Sequence, residues 1–456
     1  MSRHVTILSP TAILGYGFPE SSFRAGLARH PGVIAVDAGS TDPGPYYLGS
    51  GESFTNRDAV KRDLLLMIEA GLDRDIPVLI GTAGGAGAEP HLAWCLEIVD
   101  EVLCDLGRRA RVADIGSDQN RDALTSALHS GRISELGPVP ALTQDAIEKS
   151  SHIVAQMGVE PIIEALGQGA QIVVTGRCYD PAVFAAVPIR AGFSEALSLH
   201  LGKILECAAI AATPGSGSDC MIGVIDESGF TLEALSPERK CTVTSVAAHT
   251  LYEKTDPRFL SGPGGVLDLS TCHFEQIDER RVRVTGTQLQ KGADYTIKLE
   301  GAQPVGFRTI SIAGIRAPDL IQQLEVVLEA VRDRVFANFE SIDPSEAQLL
   351  FRVYGQNGVM GDLEPCIDQR PHEVGLVIEV VAKTQSLADT VCSFARSTLL
   401  HFGYPGRQST AGNLAFPYSP SDISHGVVYE FSVYHLMIVD DPVSPFPVRI
   451  QNRGTV

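Results

Sequence analysis

The sequence predicts an α/β protein whose amino-terminal part is a doubly wound parallel sheet and whose later α+β part ends in a ferredoxin-like βαββαβ unit. In the first part, short apolar runs alternate with helical segments, which is the pattern of a parallel sheet covered by helices. From residue 307 the predicted order is strand, helix, strand, strand, helix, strand. We therefore expect a doubly wound domain over 1–210, an irregular, mostly β region over 211–304 and a ferredoxin-like domain over 305–456.

Composition narrows the class of protein. The chain has 456 residues, of which 44% are hydrophobic and 20% charged, which is typical of a globular protein with more than one domain. Its net charge of −19 disfavours nucleic acid and anionic membranes as partners. The 9 cysteines form no CxxC pair, and neither a signal peptide nor a membrane-spanning apolar stretch is evident. We expect a cytoplasmic homo-oligomer.

The predicted strands of the first domain each end in a polar loop. Apolar runs at 5–8 and 33–37 are each followed by such a loop and a helix, and 111–115 and 171–176 repeat the pattern. In sheets of this class, ligands bind beyond the carboxyl ends of the strands. The loop after Gly39 is long and carries two tyrosines, Tyr46 and Tyr47, so we interpret it as a lid.

The central stretch, residues 77–94, reads PVLIGTAGGAGAEPHLAW. A buried strand at 78–81 breaks into glycines at 84, 85 and 87, which permit positive φ angles and a close approach of the backbone to a ligand. Pro90 suits the first turn of a helix, whose free amide groups would point at this loop and favour a phosphate or carboxylate. The alternative is a tight strand-to-helix turn without a ligand.

Together, the strand ends predict a ligand site at one edge of the sheet. Among their side chains Arg177 is the one cation, and its planar guanidinium suits a carboxylate or phosphate; the alternative is a structural ion pair with Asp180. The residues that we expect to contact the ligand are Ser40, Thr41, Thr82, Gly84, Gly85, Gly87, Ser117, Thr175 and Arg177.

Acidic residues supply the candidate catalytic groups. Glu206 lies near the end of an apolar helix at 194–212, where it is either a surface residue or a desolvated general acid or base. We assign the catalytic roles to Glu206, Asp118 and Asp42. If their strands are neighbours, Asp37, Asp42, Asp114 and Asp118 could hold Mg²⁺ or Mn²⁺; the alternative is that they cap helices.

Several longer motifs resemble the acyclic terpene utilisation family over nearly the whole chain. They are STDPGPYYLGSG, TAGGAGAEPH, IGSDQN, VTGRCYDPAVF, Glu206 with Cys207, PGGVLD, and NLAFPYSPSD with YEFSVYHL. The founder of this family belongs to citronellol and geraniol catabolism, and relatives often occur with a small second protein, so the resemblance implies terpene-type catabolism and a small partner subunit. After Cys207 the family pattern implies an amide residue and a glycine pair, whereas this chain reads AAIAATPGSGSD.

Two classes of function fit these observations. In the first, the protein is an enzyme that acts on an acyl-CoA or a small carboxylic acid by adding or removing water or by shifting a double bond, with CoA as part of the substrate. The chain has no Walker A loop, HExxH or GxGxxG motif, which disfavours phosphoryl transfer, zinc proteolysis and nicotinamide chemistry. In the second, it is a subunit that binds an acyl-CoA or scaffolds a catabolic enzyme without its own turnover.

Overall fold

The computed structural model describes residues 3–339 and 346–454, and over this part the chain is a mixed α/β protein. The α/β prediction is thereby confirmed, whereas the finer description of a doubly wound sheet followed by a ferredoxin-like unit stays a prediction. The chain divides into two compact units, Met1–Gln303 with Phe431–Val456, and Pro304–Glu430. No helix among the described residues is long and apolar enough to cross a membrane.

The strands range in length from 3 to 21 residues. In chain order they are β1 (Val5–Ser9), β2 (Val33–Asp37), β3 (Val78–Gly81), β4 (Arg109–Ile115), β5 (Ile133–Glu135), β6 (His152–Gln156), β7 (Ile172–Thr175), β8 (Met221–Ile225), β9 (Gly229–Ala234), β10 (Phe259–Gly262), β11 (Gly265–Asp268), β12 (His273–Gln276), β13 (Arg281–Thr285), β14 (Gln288–Lys291), β15 (Tyr295–Ile315), β16 (Ala347–Tyr354), β17 (Val374–Ala382), β18 (Asp422–Val439) and β19 (Val448–Gly454).

The helices lie mostly between strands of the first unit. They are α1 (Glu20–Leu27), α2 (Pro45–Ser50), α3 (Arg57–Arg74), α4 (Glu89–Leu106), α5 (Arg121–His129), α6 (Gln144–Lys149), α7 (Glu160–Gly167), α8 (Ala182–Arg190), α9 (Glu195–Leu205), α10 (Val243–Thr250), α11 (Pro318–Gln322), α12 (Leu324–Asn338) and α13 (Gln385–His401).

The first unit is built on a mixed sheet with the strand order β12-β13-β9-β8-β1-β2-β3-β7-β4-β19. The strands from β1 to β4 in this order are parallel, as the alternation of strands and helices indicated. The flanking pairs are antiparallel, since β8 and β9 add to β1 as a hairpin and β19 pairs with β4. The alternation did not predict these flanks, because they come from segments far away in the sequence.

The main sheet separates two hydrophobic cores. Successive side chains of a strand point to opposite faces, so Ile7 and its partner Val33 lie in one core, whereas Leu8 and its partner Ile34 lie in the other. All four are fully buried. Helices cover both faces, and the sheet is therefore a rigid support for the loops at its carboxyl edge.

The second unit is an α+β arrangement. Its sheet has the strand order β16-β17-β15-β18, in which β17 pairs antiparallel with both β15 and β16. The helices α12 and α13 share a core with these strands, in which Val331, Leu376 and Leu399 are fully buried.

One helix lies inside the region 211–304, for which the sequence predicts mostly β structure: Val243–Thr250 forms α10. The reason is local: the Thr242 hydroxyl accepts a hydrogen bond from the Ser245 amide at 3.0 Å, and the Ser245 hydroxyl accepts one from the Thr242 amide at 3.1 Å. This capping box starts the helix, which buries Val246 against the core.

Candidate functional site

A cleft of about 270 Å³ opens beside the carboxyl ends of β1, β2 and β7. Ligands collect at this edge of α/β sheets. Loops after the three strands, the residues that follow α9 and those that follow α10 form its walls. The described residues that line it are Ala12, Ile13, Tyr16, Asp37, Gly39, Ser40, Asp42, Pro43, Phe54, Asp180, Glu206, Cys207, Ile210, Tyr252 and Glu253.

Glu206 is a buried acid of this cleft. It follows the last residue of α9 and is 4% exposed, so the alternative of a surface residue does not apply. Lys203, one helical turn earlier, donates a hydrogen bond to its Oε1 atom, whereas its Oε2 atom has no hydrogen-bond partner. Burial, reinforced by the Asp180 carboxylate and opposed by Lys203, raises the pKa of Glu206 to about 7.

Lys203 stays charged beside this acid. Burial acts to lower the pKa of Lys203, but the Glu206 and Asp180 carboxylates outweigh burial and raise the pKa. The ammonium group also lies 5.7 Å from the centre of the Tyr252 ring. Lys203 is therefore a buried cation that holds one oxygen of Glu206 and leaves the other free for a ligand.

Asp37, which is buried, and Asp180, which is half-buried, are two further acids that line the cleft. Asp37, the last residue of β2, is 6% exposed; its Oδ2 atom accepts a hydrogen bond from the Gly39 amide at 3.3 Å, and its Oδ1 atom has no partner. Burial, together with the Asp180 carboxylate, raises the pKa of Asp37 well above its ordinary value. Asp180 accepts a hydrogen bond from Arg177 at 2.7 Å.

Backbone strain occurs around the same cleft. Glu253, which lines the cleft, has a φ angle of +60°. Ala208, which follows the lining residue Cys207, has φ +43°, and Thr82, which follows β3, has φ +44°. Non-glycine residues rarely adopt this region, and such strain is concentrated at functional sites. The strain therefore supports a functional interpretation of the cleft.

Arg177 is held inside the protein by its own chain. Its Nε atom donates to Glu300 at 2.7 Å and its Nη1 atom to Asp180 at 2.7 Å, and the residue is 3% exposed. Lys298 and Thr41 also bind Glu300, at 2.6 and 2.9 Å. The structural ion pair that was the alternative for Arg177 is thus present, and it extends into a buried network.

The glycine loop packs against protein atoms. A Cβ atom on Gly87, whose φ is +72°, would lie 2.1 Å from the Arg177 amide nitrogen, and one on Gly84 would lie 2.8 Å from the Cβ atom of His91. Ser117 joins the neighbouring loops, because its hydroxyl donates to the Gly87 carbonyl at 2.8 Å and accepts from the Arg177 amide at 2.7 Å. These glycines let loops of the chain approach each other.

The anion at the start of α4 is a side chain of the protein itself. Asp118 Oδ2 accepts a hydrogen bond from the Glu89 amide at 2.6 Å, and Asp118 Oδ1 lies 3.3 Å from His152 Nδ1. A helix N-terminus favours a negative charge at this place. Asp118 therefore occupies the position for which the sequence predicted a ligand, and it does not line the cleft.

The four aspartates that were expected to bind a metal do not come together. β3 and β7 lie between β2 and β4, so about three strand spacings, roughly 14 Å, separate the strands of Asp37 and Asp114. Asp114 instead accepts a hydrogen bond from Arg449 of β19 at 2.5 Å. Among residues 3–339 and 346–454, no group of three or more His, Cys, Asp and Glu side chains is arranged to hold a metal ion.

The structure thus divides the predicted site residues into three groups. Ser40, Asp37, Asp42 and Glu206 line the cleft, and the Ser40 hydroxyl donates to Asp42 at 2.6 Å. Asp114 and Asp118 lie elsewhere. Thr41, Thr82, Gly84, Gly85, Gly87, Ser117, Thr175 and Arg177 belong to the buried contacts and hydrogen bonds of the neighbouring loops.

Sequence reasoning missed Lys203, Glu300 and Tyr179. Lys203 could have been found, because a Lys three residues before a Glu in an apolar helix places the two charges on one face. Tyr179 lies in the loop that follows β7, and its buried hydroxyl has no hydrogen-bond partner among the described residues. Nothing local marks Glu300, which lies in a strand and meets Arg177 across 123 residues of sequence.

The predicted lid loop contains α2. Tyr47 lies in it and packs edge-on against Phe54, with ring centres 5.5 Å apart, while Phe54 lines the cleft. The Tyr46 hydroxyl donates to Glu52 at 3.0 Å. The lid therefore stays a prediction, because neither tyrosine lines the cleft itself.

The fold and the cleft define an α/β protein with buried acids at the carboxyl edge of its sheet. A comparison with protein families matches residues 61–419 to the model of the acyclic terpene utilisation family protein AtuA. This match covers more than half of the chain, so the chain belongs to the acyclic terpene utilisation family. No curated protein and no solved structure matches it.

Proposed function

We propose that this protein is an enzyme of terpene or branched-chain acid catabolism that moves protons at its substrate, by hydration, dehydration or isomerisation of a double bond. The observation that carries this proposal is Glu206, whose burial raises its pKa to about 7 and whose Oε2 atom lacks a partner in a cleft. An acid with a pKa near the working pH serves best in both directions of proton transfer. The family membership supports a role in acyclic terpene utilisation.

Two acids of the cleft divide the work in this proposal. Asp37 gives a proton to the substrate and Glu206 removes one, because burial raises the pKa of Asp37 well above its ordinary value whereas that of Glu206 is about 7. Asp180 forms an ion pair with Arg177 and raises the pKa of Glu206, so it is a positioning residue. Asp42, which was assigned a catalytic role, lies at the exposed rim and contacts Ser40.

The cleft also limits the substrate. Its volume of about 270 Å³ is at the lower end of ligand pockets, so it holds a short acyl or prenyl chain, while the CoA part of a thioester stays outside. Tyr16, Phe54 and Ile210 supply the apolar surface for such a chain. A divalent cation, a small partner subunit and a homo-oligomeric state stay predictions.

A matched pair of variants tests the function. We expect Glu206→Gln to lower turnover about 10²–10⁴-fold, because the amide keeps the shape of the side chain but transfers no proton. Glu101→Gln is the control, since Glu101 forms an exposed ion pair with Arg57 and does not line the cleft. The assay follows deuterium uptake from D₂O, and ¹⁸O uptake from labelled water, into a panel of acyclic unsaturated and hydroxylated acids, their CoA thioesters and the matching alcohols.

The same panel separates the enzyme from the second class of function. An acyl-CoA-binding or scaffolding subunit would bind a thioester without exchanging deuterium, in the native chain and in both variants. Exchange that persists unchanged in Glu206→Gln would remove Glu206 from the mechanism.

A further inference from the structure

Two acids that line the cleft, Glu206 and Asp37, each have one carboxylate oxygen that receives no hydrogen bond from the described residues. Glu206 Oε2 and Asp37 Oδ1 have no partner, and both residues line the cleft while more than nine-tenths of each is buried. A buried polar atom without a partner is costly to a folded protein. A ligand that donates a hydrogen bond would remove this cost, whereas a carboxylate or a thioester carbonyl has no proton to donate.

The cations nearby do not provide a place for an anion. Lys203 is bonded to Glu206, and Arg177 is bonded to Asp180 and Glu300. Burial, aided by the charge of Lys203, lowers the pKa of Lys254, which lies against the Tyr179 ring and does not line the cleft. The charged residues of the described chain that do line it are Asp37, Asp42, Asp180, Glu206 and Glu253.

The backbone donors that were expected to bind an anion are also occupied. The Glu89 amide at the start of α4 donates to Asp118, and the Gly87 amide of the glycine loop donates to the Ala83 carbonyl at 3.0 Å. An enolate or a carboxylate at the reacting end of the substrate would thus meet carboxylates rather than donors. The unpartnered acids and the absence of lining cations in the described cleft point in the same direction.

We propose that the group that enters the cleft between Glu206 and Asp37 is the uncharged hydroxyl of an acyclic alcohol, and that any carboxylate or CoA group of the substrate lies outside. This inference rests on the proposed function and names the reacting group of that same site. A hydroxyl both accepts and donates, so it accepts a hydrogen bond from protonated Asp37 and donates one to ionised Glu206.

The chemical step is a dehydration. Asp37 gives its proton to the hydroxyl oxygen, the carbon–oxygen bond breaks with its electron pair going to oxygen, and water leaves. Glu206 then takes a proton from the neighbouring carbon, and the electron pair of that carbon–hydrogen bond forms the new double bond. Glu206 releases its proton to solvent and Asp37 takes one up, so the net change is the loss of one water.

The surroundings suit the charge that this step creates. Positive charge develops on carbon as the carbon–oxygen bond breaks, and the carboxylates of the cleft stabilise it. Tyr16, Phe54 and Tyr252 line the same cleft, and aromatic rings attract cations. Carboxylates and aromatic rings would not stabilise the negative charge of an enolate.

A matched series of ligands tests the inference by binding alone. The probes are an acyclic ten-carbon allylic amine, the matching alcohol and the matching carboxylic acid, each titrated into the full chain by calorimetry at pH about 8, where Glu206 is ionised. We expect the ammonium form of the amine to bind about 10- to 100-fold more tightly than the acid, because it donates a charge-assisted hydrogen bond to ionised Glu206.

Variants tie the preference to the cleft. Glu206→Gln should reduce the affinity for the amine at least about tenfold and leave or improve that for the acid, whereas Glu101→Gln should change neither. The acid binding as tightly as the amine would overturn the inference, and so would a failure of all three probes to bind.

The outcome also separates this inference from the proposed function. Deuterium exchange into a thioester that depends on Glu206, together with tighter binding of the acid, would leave the function standing and overturn the hydroxyl assignment. If the amine binds more tightly than the acid in a manner that depends on Glu206, but no substrate exchanges deuterium, the hydroxyl-binding site is supported and the proposed enzyme activity is overturned.

Discussion

At the scale of single residues, burial governs the chemistry of Glu206. Removing the carboxyl from water raises its pKa to about 7, although Lys203 donates a hydrogen bond to it. The folded protein therefore holds this proton more tightly than the unfolded chain, in which the pKa of a Glu is about 4.3. The contribution of Glu206 to stability is full below pH about 4 and is lost as the pH rises through about 7.

We predict that one carboxyl group of the native protein loses its proton with a midpoint near pH 7 and that this transition is absent from Glu206→Gln. Difference infrared spectroscopy between pH about 5 and about 9 measures the protonated carboxyl band directly. Glu101→Gln should keep the transition, because Arg57 lowers the pKa of Glu101 to about 2. A transition that survives in Glu206→Gln would assign it to another acid, with Asp37 as the first candidate.

At the scale of elements, the glycine loop between β3 and α4 is a packing device. The loop after β7 passes directly over it, and Ser117 bonds to both loops. Gly87 is needed for two reasons, because its φ is +72° and because a side chain would strike the Arg177 backbone. The loop thereby fixes the position of the strand that leads to Asp180.

Replacing Gly87 with Ala should therefore destabilise the fold rather than weaken a ligand. Gly107 is the matched control, since its φ is +61° but nothing lies within 4 Å of an added Cβ atom. Gly107→Ala should cost about 1–2 kcal/mol from backbone strain. Gly87→Ala should lower the free energy of unfolding, measured with urea, by at least twice as much or prevent folding. Equal losses in the two variants would contradict the packing role.

At the scale of the whole first unit, a buried ionic network connects segments that are distant in sequence. Glu300 of β15 accepts hydrogen bonds from Arg177, in the loop after β7, and from Thr41, in the loop after β2. It also forms an ion pair with Lys298. Burial acts to raise the pKa of Glu300, but Arg177 and Lys298 outweigh burial and lower the pKa to about 2. This network supports Asp180, because Arg177 binds both acids.

Glu300→Gln should lower the free energy of unfolding by about 3–5 kcal/mol, because buried Arg177 and half-buried Lys298 both lose their ion pair with Glu300. In the native protein, the stabilisation by Glu300 is present above the unfolded pKa of about 4.3 and is lost as the pH falls through about 2. Between these limits, the free energy of unfolding measured with urea should therefore depend more steeply on pH in the native chain than in the variant. Glu379→Gln is a control with an ion pair in the second unit. Parallel pH profiles for native and Glu300→Gln proteins would contradict the role of Glu300.

Local patterns in the sequence predict the parallel strands of the main sheet and the edge at which the candidate cleft lies. Apolar runs such as 33–37 and 78–81 were enough to predict strands, and polar residues after them marked the loops, because both signals are local. The motifs also identified the family, which the match to residues 61–419 confirmed. Glu206 was recognised because a carboxylate is unusual in so apolar a segment.

Only the tertiary structure decided which acids meet. Asp118 and Asp114 looked equivalent to Asp37 in the sequence, but the position of β7 between β3 and β4 moves them away from the cleft, where α4 and Arg449 occupy them. Glu300 approaches Arg177 because β15 pairs with β6, a contact between distant segments that no local pattern encodes. Burial and charge pairing depend on such long-range neighbours, and for this reason the sequence could propose carboxylates whereas the fold selected among them.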